Sequence, residues 1–447
     1  MQTDQSQFGG GATETILHPI VLVAMILAII LILVLPRKYV VVPILFISFL
    51  VPVGQQVVVG GVHWFVFRII ILFGLLRLLR DKASRTHVLA GGFNTVDRAF
   101  MWCTIVQAVA IILRLLQMAA FVNQCGFLLD SLGGYFLFRS MIEDEEDIRR
   151  VAKCFALLTC ILAVSMLIEQ IALVNVFGGI PPEIREGRIR SRGTFAHQIL
   201  AGTFGATLLP LFFLLWKNSE ARFTAAIGMV GASVMTATSN ASTSLLAYAG
   251  GILAVCFWPI RSRMRAVRWG IVICLVALQL VMKAPFWFVI AHIEIVPGSS
   301  SWHRAAIVDL FIRHFSNWWL IGTKEAGEWG FGMWDTQNQF VSIGESGGLA
   351  ALVLIIMMIS HCFRRLGQAR KVLRGDNEKE WILWFLGAAL FSHVVGFFGV
   401  NYFDQTVFAW FAVLAMISAA TAPILQERQL KESAADTALD DTLFVGA

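Results

Sequence analysis

The chain has 447 residues and a formal net charge of +6; 57% of its residues are hydrophobic and 14% are charged. A soluble domain carries about 25% charged residues, so this composition and a mean hydropathy of +0.74 exclude a water-soluble globular protein. Continuous apolar stretches such as residues 20–35 do not alternate in polarity, which also excludes an outer-membrane β-barrel.

Apolar segments long enough to cross a hydrocarbon layer of about 30 Å recur along the chain. In chain order they lie near residues 17–35, 40–56, 62–79, 99–116, 119–138, 151–170, 198–216, 223–238, 243–259, 269–291, 347–363, 381–398 and 404–422. We therefore predict an all-α, polytopic membrane protein with about 12–14 transmembrane helices.

The positions of lysine and arginine predict the orientation of these helices, because basic residues collect in cytoplasmic loops. Placing the N-terminus outside puts most of the 35 basic residues in the cytoplasm. On this assignment residues 1–425 form one transmembrane domain, and residues 426–447 form a disordered cytoplasmic tail. Two long extracytoplasmic loops then cover residues 171–198 and 292–346.

The first long loop is unusually rich in arginine. Before the Gly-Thr-Phe-Ala-His sequence that ends at His197, it contains Arg185, Arg188, Arg190 and Arg192. These cations oppose the charge bias, and guanidinium groups followed by a helix N-terminus are suited to bind phosphate. The alternative is that they pair with nearby glutamates and with lipid headgroups.

The second long loop contains two polar clusters. Residues 299–304 include His303 and Arg304; Arg304 adds a cation to the same site if both loops cover one cavity, or else extends from an interfacial helix to water. The second cluster, in which a carboxylate beside carboxamides is suited to deprotonate a hydroxyl and hold a sugar, contains Asp335, Gln337 and Asn338. Such residues are equally typical of loops and helix caps.

Charged residues also occur inside the predicted spans, where they are costly and commonly functional. Arg114, Asp130 and Arg139 belong to one pair of helices, and Glu169 ends the next helix. We expect an ion pair between Arg114 and Asp130. The seven cysteines lie in or beside apolar segments without metal-type spacing, so we predict no metal site.

The order of these motifs resembles that of the O-antigen ligase and polymerase superfamily over roughly residues 185–360. The resemblance rests on the arginines and Gly-Thr-Phe-x-His at the head of a span, a Ser/Thr-rich turn, His-Arg in a long loop, and Asn before a Gly-rich stretch. The exopolysaccharide polymerases of this superfamily are the most similar, judging from residues 334–338 and 401–405.

The resemblance implies a glycosyltransferase of exopolysaccharide biosynthesis in the bacterial inner membrane. It would transfer a glycan from a polyprenyl diphosphate such as undecaprenyl diphosphate to a sugar hydroxyl of an acceptor repeat unit. No nucleotide sugar, cofactor or metal is implied, and the active site would face the periplasm or cell exterior. The implied partners are the lipid-linked oligosaccharide, membrane lipid, a flippase and a chain-length regulator, and no nucleic acid.

Carried over by position, the resemblance implies that Arg192 and Arg304 bind the diphosphate. Arg188 and Arg190 assist them, and the polar residues Gln337 and Asn338 contact the substrate. Ligases of this superfamily have a His-Asn pair where this chain has Gln337 and Asn338, so their usual candidate base is absent here. The residues to which that role would pass are Asp335, His303 and His197. Inversion at the anomeric carbon is expected if a base aligns the acceptor for attack from the opposite face.

The sequence leaves two alternatives to a polymerase. An O-antigen-type ligase would join a finished glycan to another acceptor, and the absence of the His-Asn pair argues against it. A flippase or transporter of lipid-linked oligosaccharides belongs to a different class. Paired discontinuous helices and charges reaching the bilayer midplane from both sides would favour it, whereas the unusual charges here collect on one side.

Overall fold

The structure is a computed structural model and describes residues 14–82, 89–293, 295–296, 301–330 and 332–445. Two short β-hairpins accompany its helices: β1 (Gln56–Val59) with β2 (Val62–Phe65), and β3 (Glu183–Arg185) with β4 (Arg188–Arg190). The α-helices are α1 (Pro19–Val34), α2 (Arg37–Leu50), α3 (Val66–Lys82), α4 (Thr95–Leu115), α5 (Met118–Leu128), α6 (Gly134–Met141), α7 (Glu145–Ala172), α8 (Gln198–Trp216), α9 (Arg222–Thr238), α10 (Ser242–Cys256), α11 (Met264–Val281), α12 (Ser301–Arg313), α13 (Phe315–Trp318), α14 (Gln339–Val372), α15 (Asn377–Phe397) and α16 (Thr406–Val445).

The all-α, polytopic membrane architecture predicted from hydropathy is confirmed. Every predicted apolar segment overlaps a helix, and the segment near residues 119–138 is α5 and α6 joined by a π-helical turn. In the described part of the chain, seven helices are long and apolar enough to cross a membrane. Others are shorter: the 16 residues of α1 extend about 24 Å at 1.5 Å per residue.

Helix α8 forms the centre of the bundle. Almost all of its side chains are buried, and it packs against α7, α9, α10 and α15. Small residues allow this close packing, since a Cβ on Gly205 would approach the carbonyl oxygen of Ala232 to 2.9 Å. Helix α11, in contrast, has no buried residue among those described and lies at the periphery.

The expected ion pair between Arg114 and Asp130 is wrong. Asp130 lies in the π-helical turn and accepts hydrogen bonds from Nη2 and Nε of Arg68 at 2.6 and 2.9 Å. Arg114 instead donates to the carbonyl oxygen of Glu345 at 2.8 Å. The reason is that α4 packs mainly along α14, so Arg114 faces that helix and not α5.

Helices α14 and α16 both differ from the predicted spans, because α14 is bent and α16 is longer. Helix α14 bends at Gly348, whose φ is +71° and whose place a larger residue could not take, since a Cβ there would lie 2.6 Å from the carbonyl oxygen of Leu320. Helix α16 continues to Val445. Its last turns therefore include the stretch from Gln426 for which we predict disorder.

Candidate anion-binding site

A cavity of about 130 Å³ lies at the end of the bundle where α8, α10 and α14 begin. It lies between two long connecting segments, one that joins α7 to α8 and one that joins α11 to α14. The second of these segments is bonded there to the start of α10, because the backbone N–H of Val296 donates to Oγ of Ser242 at 2.9 Å. The charged and polar side chains that line the cavity are Glu183, Arg185, Arg188, Arg190, His197, Asn240, Ser242, Arg304, Asp335 and Gln337. Six of these were predicted site residues, namely Arg188, Arg190, His197, Arg304, Asp335 and Gln337.

Three other predicted site residues do not line the cavity. Arg192 donates from Nη1 to the carbonyl oxygen of Ala196 at 3.2 Å, so its guanidinium is bonded within its own connecting segment. His303 lies against the backbone of Asp335, with Nε2 3.4 Å from the carbonyl oxygen. Asn338 accepts from two backbone N–H groups in the first turn of α14, at 3.0 and 3.2 Å, and is thus a helix cap.

The guanidinium of Arg304 is the most unusual charge in the cavity. The residue is 7% exposed, and its Nε is buried without a hydrogen-bond partner among the described residues. Burial and the neighbouring Arg190 lower its pKa to about 10, against the opposing effect of Asp335. A buried cation without an ion-pair partner is costly, so an external anion is the natural complement. Ser299 and Ser300, which precede it in the sequence, lie outside the described residues.

The hairpin of β3 and β4 brings the other arginines to the cavity. Its two turn residues both have positive φ, +52° for Glu186 and +71° for Gly187, as in tight hairpin turns. Arg188 and Arg190 are two residues apart in β4 and share one face. Arg190 pairs with Glu183 at 3.2 Å, and burial lowers the pKa of Arg190.

The segment that connects β4 to α8 is held by carboxylates on two sides. Glu169, which is fully buried in α7, accepts from the backbone N–H groups of Arg192 and Gly193 at 2.8 and 2.9 Å. Asp404 accepts from the N–H of Ala196 at 3.1 Å. These bonds fix the arginine segment before any ligand binds. Nothing in the sequence distinguishes Glu169 from a charge that only ends a span.

His197 caps α8 and is poorly suited to be a strong base. Its Nδ1 accepts from the backbone N–H of Ile199 at 3.2 Å, so the neutral ring carries its proton on Nε2. Burial, then Arg190 and Arg192, lower its pKa to about 4. At neutral pH the uncharged ring therefore has an N–H to donate, and the predicted role of His197 as a base is disfavoured.

Acid will destabilise the wild-type protein more than a His197→Asn variant. The pKa of His197 is about 4 when folded and near 6.5 when unfolded. The unfolded chain therefore binds more protons between these values, and this part of the stability is lost as pH falls through that window. Asparagine keeps a capping oxygen and does not titrate.

The measurement is the melting temperature in detergent near pH 7 and near pH 4.5. The exposed His292→Asn exchange is the control and will melt like the wild type at both values. An equal acid-induced shift in wild type and His197→Asn would contradict the assignment.

Asp335 is a carboxylate that lines the same cavity as the arginines. Its Oδ2 accepts from Nε2 of Gln337 at 2.7 Å, which orients the carboxylate at the cavity wall. Trp334, immediately before it, is 81% exposed. The arrangement thus places a proton acceptor, a carboxamide and an exposed aromatic face beside a cationic pocket.

A larger and mostly apolar cavity of about 370 Å³ lies beside this site, among α2, α3, α14 and α16. Phenylalanine rings form much of its wall, including Phe67, Phe100 and Phe408. Asp404, which holds the arginine segment, also lines it. The two cavities are therefore separated by only a short stretch of chain.

Comparison with known proteins assigns no family to this chain. No protein-family model matches it, and no curated protein is similar to it. Among the described residues, no group of three or more His, Cys, Asp or Glu side chains is placed to hold a metal ion.

Proposed function

We propose that this protein is a bacterial inner-membrane polysaccharide polymerase that uses a polyprenyl-diphosphate-linked glycan as donor. One observation carries the proposal: the buried guanidinium of Arg304 has no ion-pair partner among the described residues and faces a cavity also lined by Arg188 and Arg190. A diphosphate supplies an anion that complements the charge of Arg304. Planar guanidinium groups bind phosphoryl oxygens through paired hydrogen bonds.

The side chains of the cavity suit the transfer reaction. Cleavage of the sugar–diphosphate bond leaves an electron pair on the leaving phosphoryl oxygen, and the arginines stabilise that developing charge. His197 donates from Nε2 to a phosphoryl oxygen. Asp335 takes the proton from the acceptor hydroxyl, which attacks the anomeric carbon from the face opposite the diphosphate. The configuration is therefore inverted.

The neighbouring apolar cavity supports a donor with a hydrocarbon chain. Its phenylalanine-rich wall lies among helices of the bundle, and burial of each CH₂ group contributes about 0.8 kcal/mol. A polyprenyl chain placed there would bring its diphosphate toward the arginines. A soluble sugar phosphate would leave this cavity unused.

The proposed topology has 12–14 crossings, with the cavity on the extracytoplasmic side and the long connecting segments above the membrane. In support, many arginines lie at the opposite end of the bundle, where α3, α10 and α14 end and α4 begins. The bias of basic residues toward the cytoplasm favours a cytoplasmic location for that end. The arginines of β4 are an exception to that bias, and the proposed diphosphate accounts for them.

Purified protein in proteoliposomes will convert defined lipid-diphosphate repeat units into a ladder of longer lipid-linked chains. A ligase would instead transfer one finished glycan to a different acceptor without forming a ladder. A flippase would move labelled donor across the bilayer without lengthening it. Formation of a ladder supports polymerisation, and translocation without elongation would refute it.

A deletion strain separates the same alternatives in cells. Loss of a polymerase leaves short lipid-linked units on the outer face of the inner membrane, where an impermeant labelling reagent reaches them. Loss of a flippase leaves them on the inner face. Accumulation inside would contradict the proposed function.

A further inference from the structure

A second polar cavity, of about 610 Å³, lies at the opposite end of the bundle from Arg304. It is bounded by the loop before α4, by the second half of α14 and by the middle of α16. Among the described residues that line it there is no acidic side chain. The basic ones are Arg98, His361, Arg364, Arg365 and Arg428.

The wall of this cavity is fixed by a buried ion pair. Arg139, which is fully buried, pairs with Asp97 at 3.2 Å and donates from Nη2 to the carbonyl oxygen of Ala90 at 2.6 Å. The next residue, Gly91, has a φ of +69°, and a Cβ there would collide with Ala422 of α16. The loop before α4 is thus held against α16, and the cavity is a built feature of the fold.

The arginines of this cavity differ from others at the same end of the bundle. Arg98, Arg364 and Arg365 form no ion pair with any described residue, although Nε of Arg365 donates to Oγ1 of Thr421 at 3.1 Å. The arginines at this end that do pair with carboxylates include Arg37, Arg77, Arg149, Arg150, Arg261 and Arg370. The bias of basic residues toward the cytoplasm explains why arginines occur here. It does not explain why three of them meet in one cavity that no described acidic residue lines.

We propose that this cavity binds a phosphate-bearing anion. Several guanidinium groups without carboxylate partners favour phosphoryl oxygens, with which they form charge-assisted, paired hydrogen bonds. The volume of the cavity exceeds that of one phosphate group, and Phe93 and Leu425 supply apolar edges. Two sources have this chemistry: the headgroup of an acidic phospholipid, and a soluble phosphorylated molecule.

The test compares two double variants of the full-length protein. Arg98→Gln with Arg364→Gln removes two cavity charges. Arg263→Gln with Arg374→Gln removes two exposed arginines at the same end that lie outside the cavity and is the matched control.

Binding is followed by the rise in melting temperature with added inorganic pyrophosphate in detergent. It is also followed by native mass spectrometry of phosphatidic acid retained from phosphatidylcholine bilayers that contain it. Pyrophosphate is titrated in chains that also carry Arg304→Ala, so that the other cavity does not contribute.

We expect the cavity variant to bind at least about tenfold more weakly than the control, because it loses charge-assisted hydrogen bonds to phosphate. Loss of phosphatidic acid retention alone assigns the site to a lipid headgroup, and loss of the pyrophosphate response alone assigns it to a soluble phosphate. Equal responses of the two double variants, or no binding of either probe by the parent chain, would overturn the proposal.

Discussion

Replacing Arg304 with alanine will remove most polymer formation and leave the folded protein as stable as the wild type, or more stable. The guanidinium is buried without an ion-pair partner among the described residues, so its removal relieves a desolvation cost. The same removal deprives the leaving diphosphate of a donor in a partly dry cavity. We expect kcat/KM for repeat-unit transfer to fall about 10²–10³-fold.

Two further variants sharpen this test. Arg304→Lys keeps the charge but not the planar fork, so its activity will lie between those of wild type and Arg304→Ala. Arg313→Ala, at the exposed end of the same helix, will retain activity within about threefold of wild type, since exposed ion pairs contribute little. Activity in Arg304→Ala close to that of Arg313→Ala would refute the diphosphate assignment. A large fall in melting temperature in Arg304→Ala would indicate a structural role instead.

Replacing Glu169 with alanine will lower activity about 100-fold although Glu169 does not line the cavity. Its carboxylate accepts from the backbone N–H groups of Arg192 and Gly193. Removal of the carboxylate leaves these two donors without their acceptor, at about 1–3 kcal/mol each. The segment that carries the arginines then moves, and a displacement of about 1 Å can cost about 100-fold in rate.

Amide hydrogen exchange distinguishes this positioning role from general destabilisation. Exchange at Arg192 and Gly193 will accelerate in Glu169→Ala and less in Glu169→Gln, which keeps one accepting oxygen. Thr159→Val is the control because Thr159 is buried in the same helix and its hydroxyl donates to the carbonyl oxygen of Ala156 within that helix. Unchanged exchange at Arg192 and Gly193 in Glu169→Ala, or equal loss of activity in Thr159→Val, would contradict the assignment.

The helices could be predicted because membrane burial is a local constraint. A segment in hydrocarbon must satisfy its backbone hydrogen bonds internally, so an apolar run such as residues 198–216 indicates a helix without knowledge of its neighbours. Partners of intramembrane charges are different. Asp130 pairs with Arg68 and not with Arg114, because the pairing depends on which helices pack together.

The same contrast between local sequence and helix packing applies to the residues of the cavity. The arginines of β4 and Arg304 could be selected from sequence as candidate phosphate ligands, since their number on one side of the predicted membrane is unusual. Which of Arg190 and Arg192 lines the cavity could not be predicted from the sequence. The strand ends at Arg190, and the backbone of Arg192 is turned aside by its bond to Glu169.

By itself, the sequence determined that this is a helical membrane protein and which residues carry its unusual charge, because hydropathy and residue type are properties of short segments. Only the tertiary structure decided that Arg304 and the β4 arginines line one cavity, that Asn338 is a helix cap, and that no acidic side chain among the described residues lines a second, cationic cavity. Each of these depends on contacts between residues far apart in the chain. Packing of the helices brings such residues together, and no local pattern records it.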